Sequence, residues 1–293
     1  MKVFLDYDQQ ALDAAYDQAM YAPNRDQLLA RFARASELAR QRLGAAERFA
    51  YGENAIEGLD VYRTKATNAP INVFVHGGAW RTGLARDYAF PAETLVRAGA
   101  HYVALDFNNV IETGGDLMPM AEQVRRGIAW VYLNAKKFGG DASRLYVSGT
   151  SSGAHLGGVA ATTDWTRYGL PADAVRGYAL CSGMYDLRGP RLSKRSSYVK
   201  FTDAAEDALS PQRHLAAIRA PIVLVYGSVE TPEFQRQSRD FADALTRAGK
   251  SAEIIRAEGY NHFEIAETLG NPYGPLGRAV LAQMKLNSGP GSQ

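Results

Sequence analysis

Apolar and polar positions along the 293-residue chain change rhythm near residue 70. Before that point the period is helical. Leu12, Tyr16 and Met20 fall on one face, and Leu28, Phe32, Ala35, Ala39 and Leu43 form a second stripe near the 3.6-residue spacing. The Pro23-Asn24 break divides residues 8–43 into two predicted helices. Two brief runs, 48–51 and 59–63, read as short strands.

From residue 71 the chain carries apolar, β-rich runs at INVFV (71–75), YVAL (102–105), LYVS (145–148), YALC (178–181), IVLVY (222–226) and EIIRA (253–257). Helical patterns lie between most of them, at 86–99, 117–137, 153–162, 233–248 and 275–286. The second of these places Met120, Val124, Ile128 and Val131 on one face. Strands apolar on both faces, alternating with helices, predict an α/β fold with a mostly parallel central sheet covered on both sides. Residues 184–214 interrupt the alternation with a polar stretch carrying Arg188, Arg191, Lys194, Arg195 and Lys200. This stretch is expected to be a small cap-like insertion over the sheet's carboxyl edge, its basic run a solvated face. The tail NSGPGSQ (287–293) reads as disordered. Internal repeats are absent, and no Pro-, Gly- or Ser-rich linker divides the chain. The expectation is one domain over 1–293, with a helical extension over 1–45.

Composition narrows the function classes. With 46% hydrophobic residues the chain can bury a sizeable core. Thirty-three Lys+Arg against 31 Asp+Glu leave a formal charge of +2, too small a field to steer nucleic acid or an anionic membrane. One cysteine, Cys181, excludes a disulfide framework and a Cys-based structural zinc site. The start, MKVFLDYDQQ, lacks the pattern of a signal peptide, and no apolar run approaches the roughly 18 residues of a membrane span. A cytoplasmic protein is expected.

The strongest local motif is Gly149-Thr150-Ser151-Ser152-Gly153, directly after the strand LYVS and opening the helical AHLGGVAAT. This is the strand–turn–helix context of a G-x-S-x-G nucleophile elbow. A strand turning sharply into a helix crowds the backbone, so the flanking positions tolerate little beyond glycine. Ser151 then projects its hydroxyl at the positive end of a helix dipole. Ser152 does not fit the elbow, because Thr150 and Ala154 would flank it. As a bare pentapeptide the pattern is weak, and a Gly/Ser helix start that merely caps or binds an anion is the bland alternative.

A second motif, His76-Gly77-Gly78-Ala79-Trp80, follows the strand INVFV. A tetrahedral intermediate needs preorganised N–H donors where its oxygen becomes negative, and glycines after a strand can supply them. The expected donors are the amides of Gly78 and Ala79 with that of Ser152, Gly77 shaping the turn. The hydroxyl also needs a base. Of five histidines, His76 belongs to this turn, His155 to the helix behind the elbow, His101 to a strand start and His214 to the insertion region. His262, in the short loop Gly259-Tyr260-Asn261-His262-Phe263 after EIIRA, is the expected base. The acid should follow IVLVY, where Glu230 and Glu233 compete. Thr231 reads as a helix N-cap and Pro232 as a first-turn proline, which assigns Glu233 to the helix and leaves Glu230 to orient the imidazole. The chain order Ser151, Glu230, His262 is that of an α/β-hydrolase triad.

HGGAW, GTSSGAHLGG, ETPEFQRQS and the NHFEI segment resemble the arylformamidase (kynurenine formamidase) branch of the α/β-hydrolases, near the hormone-sensitive-lipase-like esterases. The resemblance spans roughly residues 8–285, including the YDLR segment after Cys181. It implies catalytic roles for Ser151, Glu230 and His262 and a small acyl group on an aromatic amine as substrate. The family's elbow usually reads G-H-S-A-G, its acid is usually Asp, and its oxyanion turn carries an aromatic where this chain has Ala79. That last difference widens or depolarises the acyl side.

Trp80, Phe107, Tyr185 and Phe263 follow strand ends or motif residues and are expected to line the substrate pocket. Cys181 reads as an inert core residue and Asp106 as a turn former. No histidine pair has metal spacing and no phosphate loop or dinucleotide fingerprint precedes a helix, so no metal or cofactor is implied. The expected activity is a serine hydrolase acting on a small-molecule aryl amide or ester. The alternatives are a general carboxylesterase or carbamate hydrolase and, remotely, a non-catalytic ligand-binding scaffold. The sequence permits a homo-oligomer without indicating one.

Overall fold

A computed structural model describes residues 1–287, so the expected disorder of the tail lies, but for Asn287, outside the described residues. Within them, eight strands form one sheet: β1 (Glu47–Ala50), β2 (Gly58–Tyr62), β3 (Ala69–Val75), β4 (His101–Leu105), β5 (Gly140–Thr150), β6 (Val175–Cys181), β7 (Ile222–Gly227) and β8 (Ala252–Ala257). Their order is β1-β2-β4-β3-β5-β6-β7-β8. β1 and β2 pair antiparallel, as do β2 and β4, and from β4 to β8 every pairing is parallel.

Alternation along these strands sorts the core into two faces. Ile71, Val73 and Val75 of β3 point to one cluster with Val103, Leu105, Val147 and Leu224. Phe74 points to the other with Tyr102, Ala104, Cys181 and Val225. The helices are α1 (Gln9–Ala15), α2 (Arg25–Leu43), α3 (Ala92–Arg97), α4 (Met118–Asn134), α5 (Ser152–Ala161), α6 (Arg188–Leu192), α7 (Asp203–Ala208), α8 (Pro232–Arg247), α9 (His262–Glu267) and α10 (Pro275–Gln283). The first cluster takes side chains from α1, α4, α5 and α8, the second from α2, α3, α9 and α10. A sheet covered in this way must carry strands apolar on both faces, as the runs after residue 71 do.

Differences from the sequence reading have local causes. α1 stops at Ala15, so Leu12 and Tyr16 are buried while Met20, on a separate 3-10 turn, is two-thirds exposed. Residues 188–217 fold as short helical turns between β6 and β7, and within that basic stretch Arg195 is buried. No helix among the described residues is long and apolar enough to cross a membrane.

The first residues of the chain and the 188–217 stretch are tied to each other. Gln9 donates to Leu192 O, and the Lys194 amide donates to Asp13 Oδ1 at 2.5 Å. The Lys194 ammonium meets Asp17 Oδ2 at 2.5 Å, and the Arg195 guanidinium donates to Tyr16 O at 3.1 Å. Both segments lie beyond the carboxyl ends of the parallel strands, the side where open α/β sheets bind ligands.

Candidate active site

Four strand ends deliver the candidate residues to one place. Past β5 the chain reverses at Ser151, whose φ of 55° and ψ of −124° lie outside the regions ordinary residues occupy. The turn survives because its flanks are glycine. A Cβ on Gly149 would lie 2.6 Å from Gly153 O, and one on Gly153 would lie 2.1 Å from Val75 O. The Ser151 amide is satisfied by Cys181 O of the neighbouring strand at 2.8 Å.

His262 is the first residue of α9, and the element differs from the expected loop. Asn261 caps the helix by accepting from the amides of Phe263 and Glu264, and Glu264 Oε2 accepts the Asn261 amide in return. This reciprocal pattern was present in the sequence as Asn261-x-x-Glu264 and could have located the helix. It sets the imidazole with Nε2 2.9 Å from Ser151 Oγ and Nδ1 2.7 Å from Glu230 Oε2. Phe234 and Phe263 stand edge-on to the ring, with centroids 4.9 and 5.4 Å away.

Glu230 is buried and fully engaged. Its Oε1 accepts from Ser182 Oγ at 2.5 Å and from the Gly227 amide at 2.7 Å, and its Oε2 accepts from Gln18 Nε2 at 3.1 Å as well as facing His262. Glu233 is equally buried but faces elsewhere, paired with Arg236 and accepting from the Tyr16 hydroxyl at 2.9 Å. Thr231 occupies the N-cap position of α8 as expected. Its hydroxyl, however, makes no capping bond, and its amide donates to Gln18 Oε1 at 3.2 Å.

Opposite the elbow, the turn after β3 passes through positive φ at Gly78 (119°), Ala79 (55°) and Trp80 (62°). A Cβ on Gly77 would sit 2.9 Å from Thr150 O and 3.1 Å from Ser151 Cβ, so the turn runs directly against the elbow. Among the described residues the amides of Gly78, Ala79 and Ser152 donate to no protein acceptor, whereas the Trp80 amide is taken by Ser152 Oγ at 3.1 Å. Gly77, Gly78, Ala79, Ser151, His262 and Phe263 all line one cavity of about 550 Å³. Three uncommitted N–H groups beside a hydroxyl held against an imidazole can stabilise the oxyanion that develops on a carbonyl oxygen when that hydroxyl attacks its carbon.

Three of the four aromatics expected at the pocket point elsewhere. Trp80 is buried behind the turn, where its indole N–H donates to His155 Nδ1 at 3.1 Å. Phe107 stacks on the His76 ring at 4.3 Å, and Tyr185 stacks on Phe241 at 4.4 Å with no exposed surface. Strand-end position alone does not set which way a side chain points: Trp80 and Phe107 turn in against buried imidazoles and Tyr185 against Phe241. Phe263 lines the cavity.

The remaining histidines are accounted for. His155 Nε2–H donates to Leu209 O at 2.8 Å, leaving Nδ1 to accept from Trp80, and burial holds its pKa down to about 4. His76 is stacked between Tyr88 and Phe107, and burial likewise lowers its pKa. His101 Nδ1 accepts from the Thr64 amide, and His214 Nε2 meets Asp207 O. Burial, with Glu230 nearby, pushes the Cys181 thiol well up, which removes it as a nucleophile. Asp106 does more than form a turn: it accepts from the Ala85 amide at 2.6 Å and pairs with Arg48 at 2.6 Å. No cluster of three or more His, Cys, Asp or Glu suited to a metal occurs among the described residues.

The sequence reading missed Gln18 and Ser182. Gln18 and Ser182 reach Glu230 from 212 and 48 residues away, and no local pattern marks them.

The chain is similar to known proteins over most of its length. The kynurenine formamidase of Danio rerio is 32% identical over 226 residues, covering 75% of each chain. The chain belongs to the arylformamidase-like branch of the α/β-hydrolases. The isoprenylcysteine alpha-carbonyl methylesterase ICME of Arabidopsis thaliana is 27% identical over 239 residues, covering 73% of this chain and 56% of that protein. The BD-FAE family model matches residues 59–173. Among solved structures, a candidate thioesterase of Silicibacter sp. TM1040 superposes with TM-score 0.81 at 22% identity, covering 94% of this chain and 98% of that one. Esterase LipW of Mycobacterium marinum gives TM-score 0.70 at 21% identity, over 92% and 89%. This arylformamidase-like chain is thus an ester or amide hydrolase with the α/β-hydrolase fold.

Proposed function

We propose that the chain is a serine hydrolase that cleaves a small acyl group from an aromatic amine, through a Ser151–His262–Glu230 triad and an acyl-enzyme. The observation that carries this reading is the pair of contacts on one imidazole, 2.9 Å to Ser151 Oγ and 2.7 Å to Glu230 Oε2. Ser151 Oγ attacks the acyl carbonyl as its proton passes to His262 Nε2. Glu230 holds the Nδ1–H and stabilises the imidazolium. The amides of Gly78, Ala79 and Ser152 receive the oxyanion. As the tetrahedral intermediate collapses, the C–N bond breaks and His262 gives its proton to the departing amine. Water, deprotonated by the same nitrogen, then attacks the acyl carbon, the bond from that carbon to Ser151 Oγ breaks, and His262 returns the proton to Ser151 Oγ as the carboxylic acid leaves.

Protonation of the leaving group decides between amide and ester. An aromatic amine departs only with that proton, whereas a phenolate leaves without it, so the same residues also serve ester cleavage. The similarity to kynurenine formamidases supports the amide. The second reading, a carboxylesterase, is favoured by Ala79, whose small side chain at the cavity wall leaves the acyl side open.

The test combines fluorophosphonate labelling with a panel of matched N-formyl-aryl, carbamoyl-aryl and acetyl-aryl substrates. Label is expected on Ser151, and Ser151→Ala is expected to lose on the order of 10⁶ in kcat. Near-normal turnover by Ser151→Ala would overturn the mechanism. A kcat/KM ratio favouring acetyl esters over formamides would establish the second reading.

A further inference from the structure

A glutamate carboxylate turns about several side-chain torsions, and in a catalytic site neighbours must take up that freedom. For Glu230 Oε1 the neighbours come from the sheet: Ser182, just past β6, and the Gly227 amide at the end of β7. Oε2, the atom facing His262 Nδ1, has one further partner among the described residues, Gln18 Nε2 at 3.1 Å, and that residue belongs to the helical segment ahead of the sheet. Gln18 is buried, and its own amide is held in one orientation, because its Oε1 accepts from the Thr231 amide at 3.2 Å. Turning the group over would set Nε2 against that N–H and Oε1 against the carboxylate, two repulsions in place of two hydrogen bonds. One side chain therefore grips Glu230 and the residue after it together.

The backbone that carries Gln18 spans the two elements that supply Glu230 and His262. At one end, the Tyr16 hydroxyl donates to Glu233 Oε2 at 2.9 Å and accepts from Gln237 Nε2 at 3.2 Å, both on α8. At the other, Asn24 Nδ2 donates to Glu264 Oε1 at 2.8 Å, and Asn24 Oδ1 accepts from Asn261 Nδ2 at 2.9 Å. Asn261 and Glu264 are the capping pair that sets His262 at the start of α9. Between these ends Asp17 caps the short turn Gln18–Tyr21 through the Ala19 amide at 3.1 Å. Residues 16–24 thus form a strut from α8 to α9, with Gln18 at the point where carboxylate meets imidazole.

From this we infer that Gln18 is a positioning residue, which holds Glu230 Oε2 on His262 Nδ1 and makes the segment before the sheet part of the catalytic apparatus. The inference rests on the triad proposed above and adds a residue that acts through its acid. Held at both oxygens, the carboxylate has one rotamer in which every bond is made. Held at Oε1 alone, it can turn Oε2 away, and fewer molecules then present a correctly oriented imidazole.

The experiment uses the intact chain, matched acylated phenols and anilines, and the low-field ¹H NMR signal of the proton between His262 Nδ1 and Glu230. Gln18→Met fills the same space without a donor. It is expected to lower kcat by roughly 10- to 100-fold, with KM within about threefold of wild type and the Nδ1 proton signal displaced or broadened. Gln18→Glu, the isostere, donates only while it holds a proton, which two adjoining buried carboxylates then share. Relative to wild type at the same pH, its kcat should stay within about tenfold near pH 6 and fall at least to the Gln18→Met level by about pH 9, a descending limb that Gln18→Met lacks. Asp17 and Glu233, the other acids on this contact, are each paired with a cation, so the limb reports the shared proton. Turnover by Gln18→Met within about threefold of wild type overturns the inference. A loss carried in KM, with the proton signal unmoved, assigns Gln18 to packing and overturns it as well. A Gln18→Glu to wild-type ratio that is flat with pH overturns it even if Gln18→Met fails to fold. Glu230→Gln, measured beside them, separates the inference from the reading beneath it. If Glu230→Gln loses turnover while the Gln18 variants do not, only the inference falls. If Glu230→Gln keeps wild-type turnover, the triad falls and the inference with it.

Discussion

Glu230 and Glu233 are three residues apart, both buried, and face opposite requirements. Glu230 meets an imidazole and three neutral donors, and Glu233 meets Arg236 and the Tyr16 hydroxyl. In the proposed triad, Glu230→Gln would remove the charge that supports an imidazolium and offer an amide that can fix the wrong tautomer. It is expected to lower kcat by on the order of 10³–10⁴ with little change in KM. Glu233→Gln should change kcat by less than about tenfold while lowering unfolding free energy by about 1–3 kcal/mol. Steady-state kinetics and denaturant melts on both variants check this, and the opposite ranking would mean the acid is misassigned. Pro232, the first residue of α8, made the choice legible in the sequence. The donors around Glu230 were not legible, because Gln18 and Ser182 become neighbours only when the chain folds back over β7.

The strand–turn–helix of the elbow shows how an element can be read from its steric needs. β5 delivers Ser151 in a left-handed conformation that only tight surroundings maintain, and Gly153 lets α5 pass against the end of β3. Gly153→Ala would drive a methyl to 2.1 Å from Val75 O and 2.4 Å from His76 O, both main-chain atoms that cannot swing aside. Its expected cost is at least about 3 kcal/mol in a thermal or urea melt, with activity falling alongside. A variant as stable as the wild type would contradict the close approach. α9 makes the complementary point: its capping pair, Asn261 and Glu264, was visible locally, yet only six residues became helical, too few for a periodic stripe. The short turns of 188–217 escaped the reading for the same reason.

Across the molecule, three buried histidines, His76, His101 and His155, tie stability to pH. His155 is neutral in the fold, accepting from Trp80 and donating to Leu209 O, with its pKa held down to about 4 by burial. In the unfolded chain a histidine titrates near 6.5, so between these values the unfolded state binds the extra proton. Its stabilisation is therefore complete above about pH 6.5, is lost as pH falls toward 4, and amounts to about 3 kcal/mol. His76 and His101, shifted in the same direction by burial, add to the slope. Unfolding free energies of wild type and His155→Gln from pH 7.5 to 4 should show the variant weaker at neutral pH but less pH-dependent by about one proton. Parallel curves would exclude the buried neutral imidazole.

The sequence by itself determined the strand and helix rhythm of the α/β fold, the elbow at Ser151, the glycine-bearing turn after β3 and the short list from which His262 and Glu230 were drawn. These are local matters, set by side-chain period, by glycine's tolerance of crowding and by proline's fit to a helix start. Tertiary structure alone decided which way Trp80, Phe107 and Tyr185 turn, that Gln18 and Ser182 donate to Glu230, and that Arg195 is buried against the rings of Tyr16, Trp80 and Phe234. Direction and burial depend on what packs opposite, and those partners come from parts of the chain that no local pattern relates.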